Sequence, residues 1–352
     1  MANRNLGDAR RAKNDEFYTQ YADIEREMNA YLDFDKNVFR DKTILLPCDD
    51  PEWSNFARYF SQNFQRFGLK KLISTSYALD SKPKELSLQP RDEETKHLRY
   101  DPKKARAHGR VFTLTRDVTG DGKTNFQDLE WEYLEGDGDF RSAEVTALRD
   151  EADIIITNPP FSLFREFMRW VIAADKNIVI IGSMNAITYK EVFPLIKEGR
   201  LWIGATNFNA GMYFRVPDSF IYADSYKFER ERDGVKVSRV PGVCWYTNLD
   251  HGRRHEPLAL MSEADNIKFS KHKEIKGVGY KKYENYDAIE VPFTNAIPSD
   301  YIGVMGVPIS FLSKYNPDQF EIIGITLPRS VLVVDGVPRT MYARILIKHR
   351  RT

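Results

Sequence analysis

The run from Asp153 to Ile172 constrains the fold more than any other part of the chain. Asp153-Ile154-Ile155-Ile156-Thr157 has no polar face, a pattern that suits a strand covered on both sides. It leads directly into Asn158-Pro159-Pro160-Phe161. After that corner Leu163, Phe164, Phe167, Met168, Val171 and Ile172 recur at the three- and four-residue spacing of a helix stripe. A buried strand, a rigid corner and an amphipathic helix make up half of a βαβ unit. In an open α/β sheet ligands bind beyond the carboxyl ends of the strands, so the corner stands where a ligand is met.

The flanking sequence repeats the alternation. Tyr21, Ile24, Met28 and Tyr31, with Phe17 before them, predict a first helix, and 43–46 is a short apolar run ending at Pro47-Cys48-Asp49-Asp50-Pro51. Phe56, Phe60, Phe64 and Phe67 predict a helix stopped by Gly68, and 71–77 reads as the next strand. Further strands are expected at 111–114, 131–134, 153–157 and 178–181. The fold class is therefore α/β, a doubly wound, Rossmann-like sheet. Residues 1–14 carry Arg4, Arg10, Arg11 and Lys13 against Asp8 and read as a basic arm. An exposed insertion is expected at about 80–130, most charged over 80–109. Residues 15–249 form the main domain and 250–352 a smaller β-rich region. That region ends in a hairpin around Asp335-Gly336, with Val331, Val333, Ile345 and Ile347 as its inward positions.

Composition narrows the class. With 42% apolar and 29% charged residues, the chain is neither disordered nor fibrous. Its apolar runs are too short to span a bilayer. The two cysteines, Cys48 and Cys244, and the lack of an apolar leader point to a cytoplasmic protein without a disulfide framework. The balance of 52 basic against 51 acidic residues says nothing about a polyanionic partner, but the distribution does. Over 251–282 Arg253, Arg254, Lys268, Lys271, Lys273, Lys276, Lys281 and Lys282 outnumber Glu256, Glu263, Asp265 and Glu274. Such a run is either a solvated face or a phosphate-binding one.

Two prolines at the corner remove two backbone donors, leaving oxygens that only accept hydrogen bonds. An exocyclic amine suits that acceptor set. The Asn158 side-chain oxygen and the Pro159 carbonyl each take one N–H while Phe161 stacks on the ring, which localises the nitrogen lone pair for attack. Read alone, Asn-Pro-Pro could equally be a turn out of a strand.

Asn158-Pro159-Pro160-Phe161 resembles the catalytic motif of S-adenosylmethionine-dependent DNA amino-methyltransferases. Residues 15–21, 48–51, 136–142, 245–250 and 300–308 together resemble the EcoRI-type adenine-specific family, in order along nearly the whole chain. The resemblance implies an enzyme that methylates adenine N6 in a specific double-stranded DNA sequence after rotating the base out of the stack. It implies catalytic roles for Asn158, Pro159, Pro160 and Phe161. It implies S-adenosylmethionine contacts from Phe17, Tyr18, Asp49, Asp50, Pro51, Asp139 and Phe140, and DNA contacts from the 250–352 region, where Arg253, Arg254, Lys268, Lys271 and Lys273 are the candidates. A monomer serving a separate restriction endonuclease, or acting as an orphan, fits this reading. The chain departs from the usual pattern in two places: no glycine lies between Leu45 and Trp53, and no acid stands over 73–77 to hold a ribose. Methylation of cytosine N4, of RNA or of a protein amide uses similar corners, and a DNA-binding protein with a decayed methylase fold is a further alternative.

Two other patterns invite metal readings. Residues 117–128 place oxygens at the spacing of a calcium loop, but with Thr119 at the third position and Asp128 at the twelfth an Asp-Gly hairpin is the favoured reading. His251 and His255 enclose Gly252-Arg253-Arg254, which matches no zinc spacing, and no metal is expected.

Overall fold

The structure is a computed structural model, and it describes residues 18–78, 101–206, 208, 210–216, 220–232 and 234–350. The chain divides into two compact units, one of residues 1–184 and 206–249 and the other of 185–205 and 250–352. The basic arm, Phe17 and most of the charged insertion lie outside the described residues.

The first unit is built on a mixed sheet. Its strands are β2 (Thr43–Leu46), β3 (Lys71–Ser76), β4 (Arg110–Leu114), β5 (Glu130–Tyr133), β6 (Ile154–Thr157), β7 (Asn177–Ser183) and β10 (Val243–Thr247), in the order β5-β4-β3-β2-β6-β7-β10. The central pairs β3/β2, β2/β6 and β6/β7 are parallel. Strands β4, β5 and β10 are antiparallel additions at the two ends, so the all-parallel sheet suggested by the alternating pattern holds only at the centre. All four residues of β2 and of β6 are buried, as strands covered on both faces require.

Helix α1 (Tyr21–Phe34) buries Ile24, Met28 and Tyr31. It starts later than the Phe17 stripe predicts. Tyr18–Thr19 instead forms β1, paired with β8 (Met212–Arg215), which in turn pairs with β9 (Val235–Val240). Local periodicity carried no sign of this pairing across nearly two hundred residues of sequence. Helix α2 (Asn55–Gln62) is capped by Ser54, whose Oγ accepts from the Phe56 N–H, and α3 (Phe64–Phe67) ends at Gly68 in the left-handed region at φ 63°. Within the stretch read as an exposed insertion, α4 (Pro102–Ala107) is a capped helix. The Asp101 carboxylate accepts from the Lys103 and Lys104 amides and Pro102 opens the first turn. Helices α5 (Ala143–Glu151) and α6 (Phe164–Ile172) complete the unit, α6 burying Phe164, Phe167, Met168 and Val171. Gly182 in β7 makes room for Phe164, since a Cβ there would stand 2.2 Å from its ring.

Residues 117–128 close the connection between β4 and β5 with side-chain-to-backbone hydrogen bonds. The Asp117 carboxylate accepts from the Gly120 and Gly122 amides, and that of Asp128 from the Val118, Thr119 and Asn125 amides.

In the second unit β11 (Ile289–Glu290), β12 (Met305–Pro308), β13 (Phe320–Ile325) and β16 (Arg344–His349) form a sheet ordered β11-β12-β16-β13. The hairpin turns at Asp335-Gly336, where the sequence places it. Strand β14 (Val331–Val334) pairs with β15 (Val337–Thr340), and the two-residue turn holds Asp335 and Gly336 both at positive φ. Ile345 and Ile347 are fully buried as expected, but in β14 the buried residue is Leu332, while Val333 is 40% exposed. In β14 alone the expected alternation is one residue out of phase, which puts the side chains of that strand on the opposite faces. Glu290, buried in β11, receives the Arg344 guanidinium at 2.7 Å and the Tyr283 hydroxyl.

A candidate active site at the carboxyl edge of the sheet

Strand β6 delivers Asn158 to the sheet edge. Asn158 is half-buried with its side-chain oxygen enclosed, and Pro159 is buried. The Pro160 carbonyl accepts from the Leu163 N–H at 3.0 Å, closing a 3₁₀ turn over Phe161–Leu163 before α6 begins. The Phe161 ring stands edge-on to Phe214 of β8, with centroids 6.3 Å apart. Thr19, next to Tyr18, pairs with Phe214. The amino-terminal motif and the proline corner therefore meet through β8.

The loop after β2 lacks glycine and is held by side chains instead. The Ser54 hydroxyl donates to Asp49 Oδ1 at 2.7 Å and the Thr157 hydroxyl to Asp49 Oδ2 at 2.6 Å. From β3, Ser74 donates to the Asp49 carbonyl and Thr75 to that of Pro47. Burial pushes the Asp49 carboxyl up to about 7, against hydrogen bonds from Thr157 and Ser54 that favour its ionised form, and the Asp50 charge adds to the rise. The Arg110 guanidinium lies 3.6 Å from both Asp50 and Glu52, with all three side chains nearly buried. Asp50 is thus engaged with a cation of the chain itself, and Pro51 is buried beside it.

The glycines missing from that loop appear one strand over. Gly138, at φ +86°, and Gly109 both press on the Ser76 carbonyl at the end of β3, where a Cβ on either would come within 2.6 Å. The Ala78 N–H donates to the Asp137 carbonyl, joining the 136–141 turn to the strand end. Asp139 on that turn is gripped by Arg141, whose Nη2 lies 2.6 Å away. Those hydrogen bonds hold the Asp139 carboxyl below its ordinary range. Phe140 is fully buried, its ring edge-on to Phe167 and Trp170.

The sequence reading overlooked Tyr77. Its phenol takes a hydrogen bond from the Phe140 backbone and stands beside Cys48 and Asp139, where burial and those two neighbours push its pKa far up. It occupies the end of β3, where the expected acid is missing; that vacancy was the signal that could have found it. Thr157, Ser54 and Arg110 were missed as well, because isolated hydroxyls and a lone arginine carry no pattern of their own.

The remaining candidates lie in the second unit. Arg254 stacks on Trp202 at 3.8 Å and pairs with Asp250 at 3.3 Å, and Arg253 donates to the Ala205 carbonyl, so both arginines are engaged inside their own unit. His251 is buried with Nε2 3.1 Å from the Ile203 carbonyl, and His255 lies 3.0 Å from Asp250. Among the described residues no cluster of His, Cys, Asp and Glu is placed to hold a metal ion. Lys268 closes the helix α7 (Glu263–Phe269) with its ammonium over Phe269, and Lys271 and Lys273 follow, all three exposed.

A buried strand that ends in an acceptor corner, beside a clamped loop at the carboxyl edge of an α/β sheet, is the architecture of a methyltransferase, and comparison with known proteins makes the assignment specific. The model of the family described as "Adenine-specific methyltransferase EcoRI" matches residues 5–350. The chain is 39% identical over 352 residues to the Type II methyltransferase M.EcoRI of Escherichia coli, covering 99% of this chain and 97% of that protein. It is 33% identical over 338 residues to the Type II methyltransferase M.MpnI of Mycoplasma pneumoniae, covering 96% and 90%. Type II methyltransferase M.MgeORF184P of Mycoplasma genitalium is likewise 33% identical, over 316 residues. The chain belongs to the EcoRI-type family of adenine-specific methyltransferases. No solved structure matches it. Among the described residues no helix is long and apolar enough to cross a membrane.

Proposed function

We propose that this enzyme transfers a methyl group from S-adenosylmethionine to N6 of an adenine in a specific double-stranded DNA sequence, with the target base rotated out of the helix. The observation that carries the reading is the corner itself, Asn158-Pro159 at the carboxyl end of a fully buried strand with Phe161 beside it. A base in a duplex hides its amino group, and unstacking it costs a few kcal/mol. Stacking on Phe161 and hydrogen bonds from the amine to Asn158 Oδ1 and the Pro159 carbonyl offset part of that cost. By holding both N–H groups, the same two acceptors favour a pyramidal nitrogen whose lone pair is out of conjugation with the ring, which raises its nucleophilicity. No strong base is needed, because the methylated ammonium loses its proton to water.

The donor set fits the cofactor. The Ser76 hydroxyl is buried without a hydrogen-bond partner among the described residues, Asp139 is an ionised acceptor, and the Tyr77 phenol, next in sequence to Ser76, stands near Asp139. When bound, S-adenosylmethionine supplies an electrophilic methyl group on a sulfonium. Tyr18, Asp50, Pro51, Asp139 and Phe140, with Phe17, are the residues assigned to hold it. Phe140 acts from the buried aromatic wall and Asp50 through the loop it braces. The second unit is assigned to reading DNA, with exposed Lys268, Lys271 and Lys273 on phosphates and Arg253 and Arg254 in a lesser, mainly structural part. A monomer in the cytoplasm, acting separately from any partner endonuclease, completes the reading.

Asn158→Ala tests it. Removing one preorganised contact at a reacting centre raises the barrier by about 2.7 to 4 kcal/mol, a loss of roughly a hundredfold or more in turnover, with cofactor affinity retained. Turnover above about a tenth of wild type would refute the mechanism.

A further inference from the structure

We infer that Asp49 is a positioning residue which ties the loop after β2 to the catalytic corner through Thr157. This rests on the proposed function and goes beyond it, since the resemblance placed Asp49 among the cofactor contacts. Its carboxylate faces inward. Both oxygens are met by hydroxyls of the chain, Ser54 at 2.7 Å and Thr157 at 2.6 Å, and the residue is 6% exposed. Each hydroxyl belongs to a different working part. Ser54 caps α2, accepting from the Phe56 N–H at 3.1 Å, while Thr157 is the last residue of β6, one peptide before Asn158, and is fully buried.

The loop has further anchors of its own. Ser74 and Thr75 hold the Asp49 and Pro47 carbonyls, and Arg110 lies against Asp50 and Glu52. The Thr157 hydroxyl is the direct bond from the Asp49 carboxylate to the strand that carries Asn158. A loop without glycine cannot bring its backbone tight against a ligand by conformational freedom. Fixing it to the catalytic strand by a buried carboxylate–hydroxyl bond achieves a related end, since loop and corner then keep one spacing. A misplacement of about 1 Å at a reacting centre can cost on the order of a hundredfold in rate.

The test uses the full-length protein with a duplex containing its methylation site, measuring single-turnover methyl transfer at saturating cofactor and cofactor affinity by calorimetry. Thr157→Val keeps the shape but removes the hydroxyl. It should slow transfer about tenfold or more while cofactor affinity stays within about threefold, because the other anchors still hold the loop. Thr157→Ser, which keeps the hydroxyl, should restore most of the rate. Asp49→Asn should slow transfer as well, and the double variant should be no slower than Asp49→Asn alone, since both changes cut the same bond. A Thr157→Val enzyme of wild-type rate, a rate loss matched by an equal affinity loss, or additive effects in the double variant would overturn the inference. Should Asp49→Asn not fold, the Val and Ser variants decide by themselves. Failure of the functional reading is separately visible, as an Asn158→Ala enzyme that still methylates.

Discussion

Asp49→Asn also makes a prediction about stability that depends on pH in a fixed direction. In the folded protein burial raises the Asp49 carboxyl from 3.8 to about 7, so between those values the native state keeps a proton that the unfolded chain has released. A raised folded-state pKa stabilises fully below the unfolded value, and that contribution drains away as pH rises through the folded value. At 1.36 kcal/mol per tenfold change in proton affinity, the wild type loses about 4 kcal/mol between about pH 3 and 8 at this one group, and nothing more above that. Asparagine does not titrate. The stability of Asp49→Asn relative to wild type should therefore climb by about 2 kcal/mol from pH 5.5 to 7 and level off by about pH 8, whatever the offset from the altered hydrogen bonds. Chemical denaturation of both proteins at several pH values, followed by tryptophan fluorescence, measures this difference directly. A difference independent of pH across that range would show that Asp49 titrates as an ordinary carboxyl and that the enclosure described for it is wrong.

Other expectations follow from the same geometry. Arg110→Met removes the cation between two nearly buried carboxylates and should lower stability by about 3 kcal/mol, whereas Arg141→Met, at a half-exposed pair, should cost about 1 kcal/mol or less; melting temperatures compare them. Gly182→Ala drives a methyl group into the Phe164 ring and should destabilise by about 1 to 3 kcal/mol, read by the same assay. Replacing Lys271 and Lys273 by Ala should flatten the salt dependence of DNA binding by about two in slope and weaken specific and non-specific duplexes alike; an unchanged slope would place the DNA elsewhere.

The sequence exposed the centre of the fold because that part is written in local patterns. The isoleucines of β6, the phenylalanine stripe ended by Gly68 and the Asp335-Gly336 turn each depend on neighbours a few residues away. The pairing of Tyr18–Thr19 with Met212–Arg215 depends on contacts far apart in sequence, and the helical period around Tyr21 masked it. At the site the proline corner was legible because its residue types are unusual in that order. The hydroxyls of Ser54, Ser74, Thr75 and Thr157 were not, since serine and threonine occur everywhere and only the fold shows that Ser54 and Thr157 face a buried acid while Ser74 and Thr75 hold backbone carbonyls of the loop. The arginines at 253 and 254 looked free for phosphate because a sequence does not reveal that Trp202 and Asp250 already engage one of them.

The second unit takes in residues 185–205 along with everything from 250 onward, and within it Trp202, Ile203 and Ala205 meet Arg254, His251 and Arg253. A unit built from two separated stretches cannot be exchanged between relatives by one crossover at its start. A chimera joined only near residue 250 would combine a foreign tail with a native 185–205 segment and break those contacts, whereas grafting both stretches together would preserve them. Hybrids of this chain that exchange the second unit should therefore be designed with two junctions, and, on the proposal that this unit reads DNA, a change of sequence specificity should come more readily from point substitutions within it than from a swapped carboxy-terminal half.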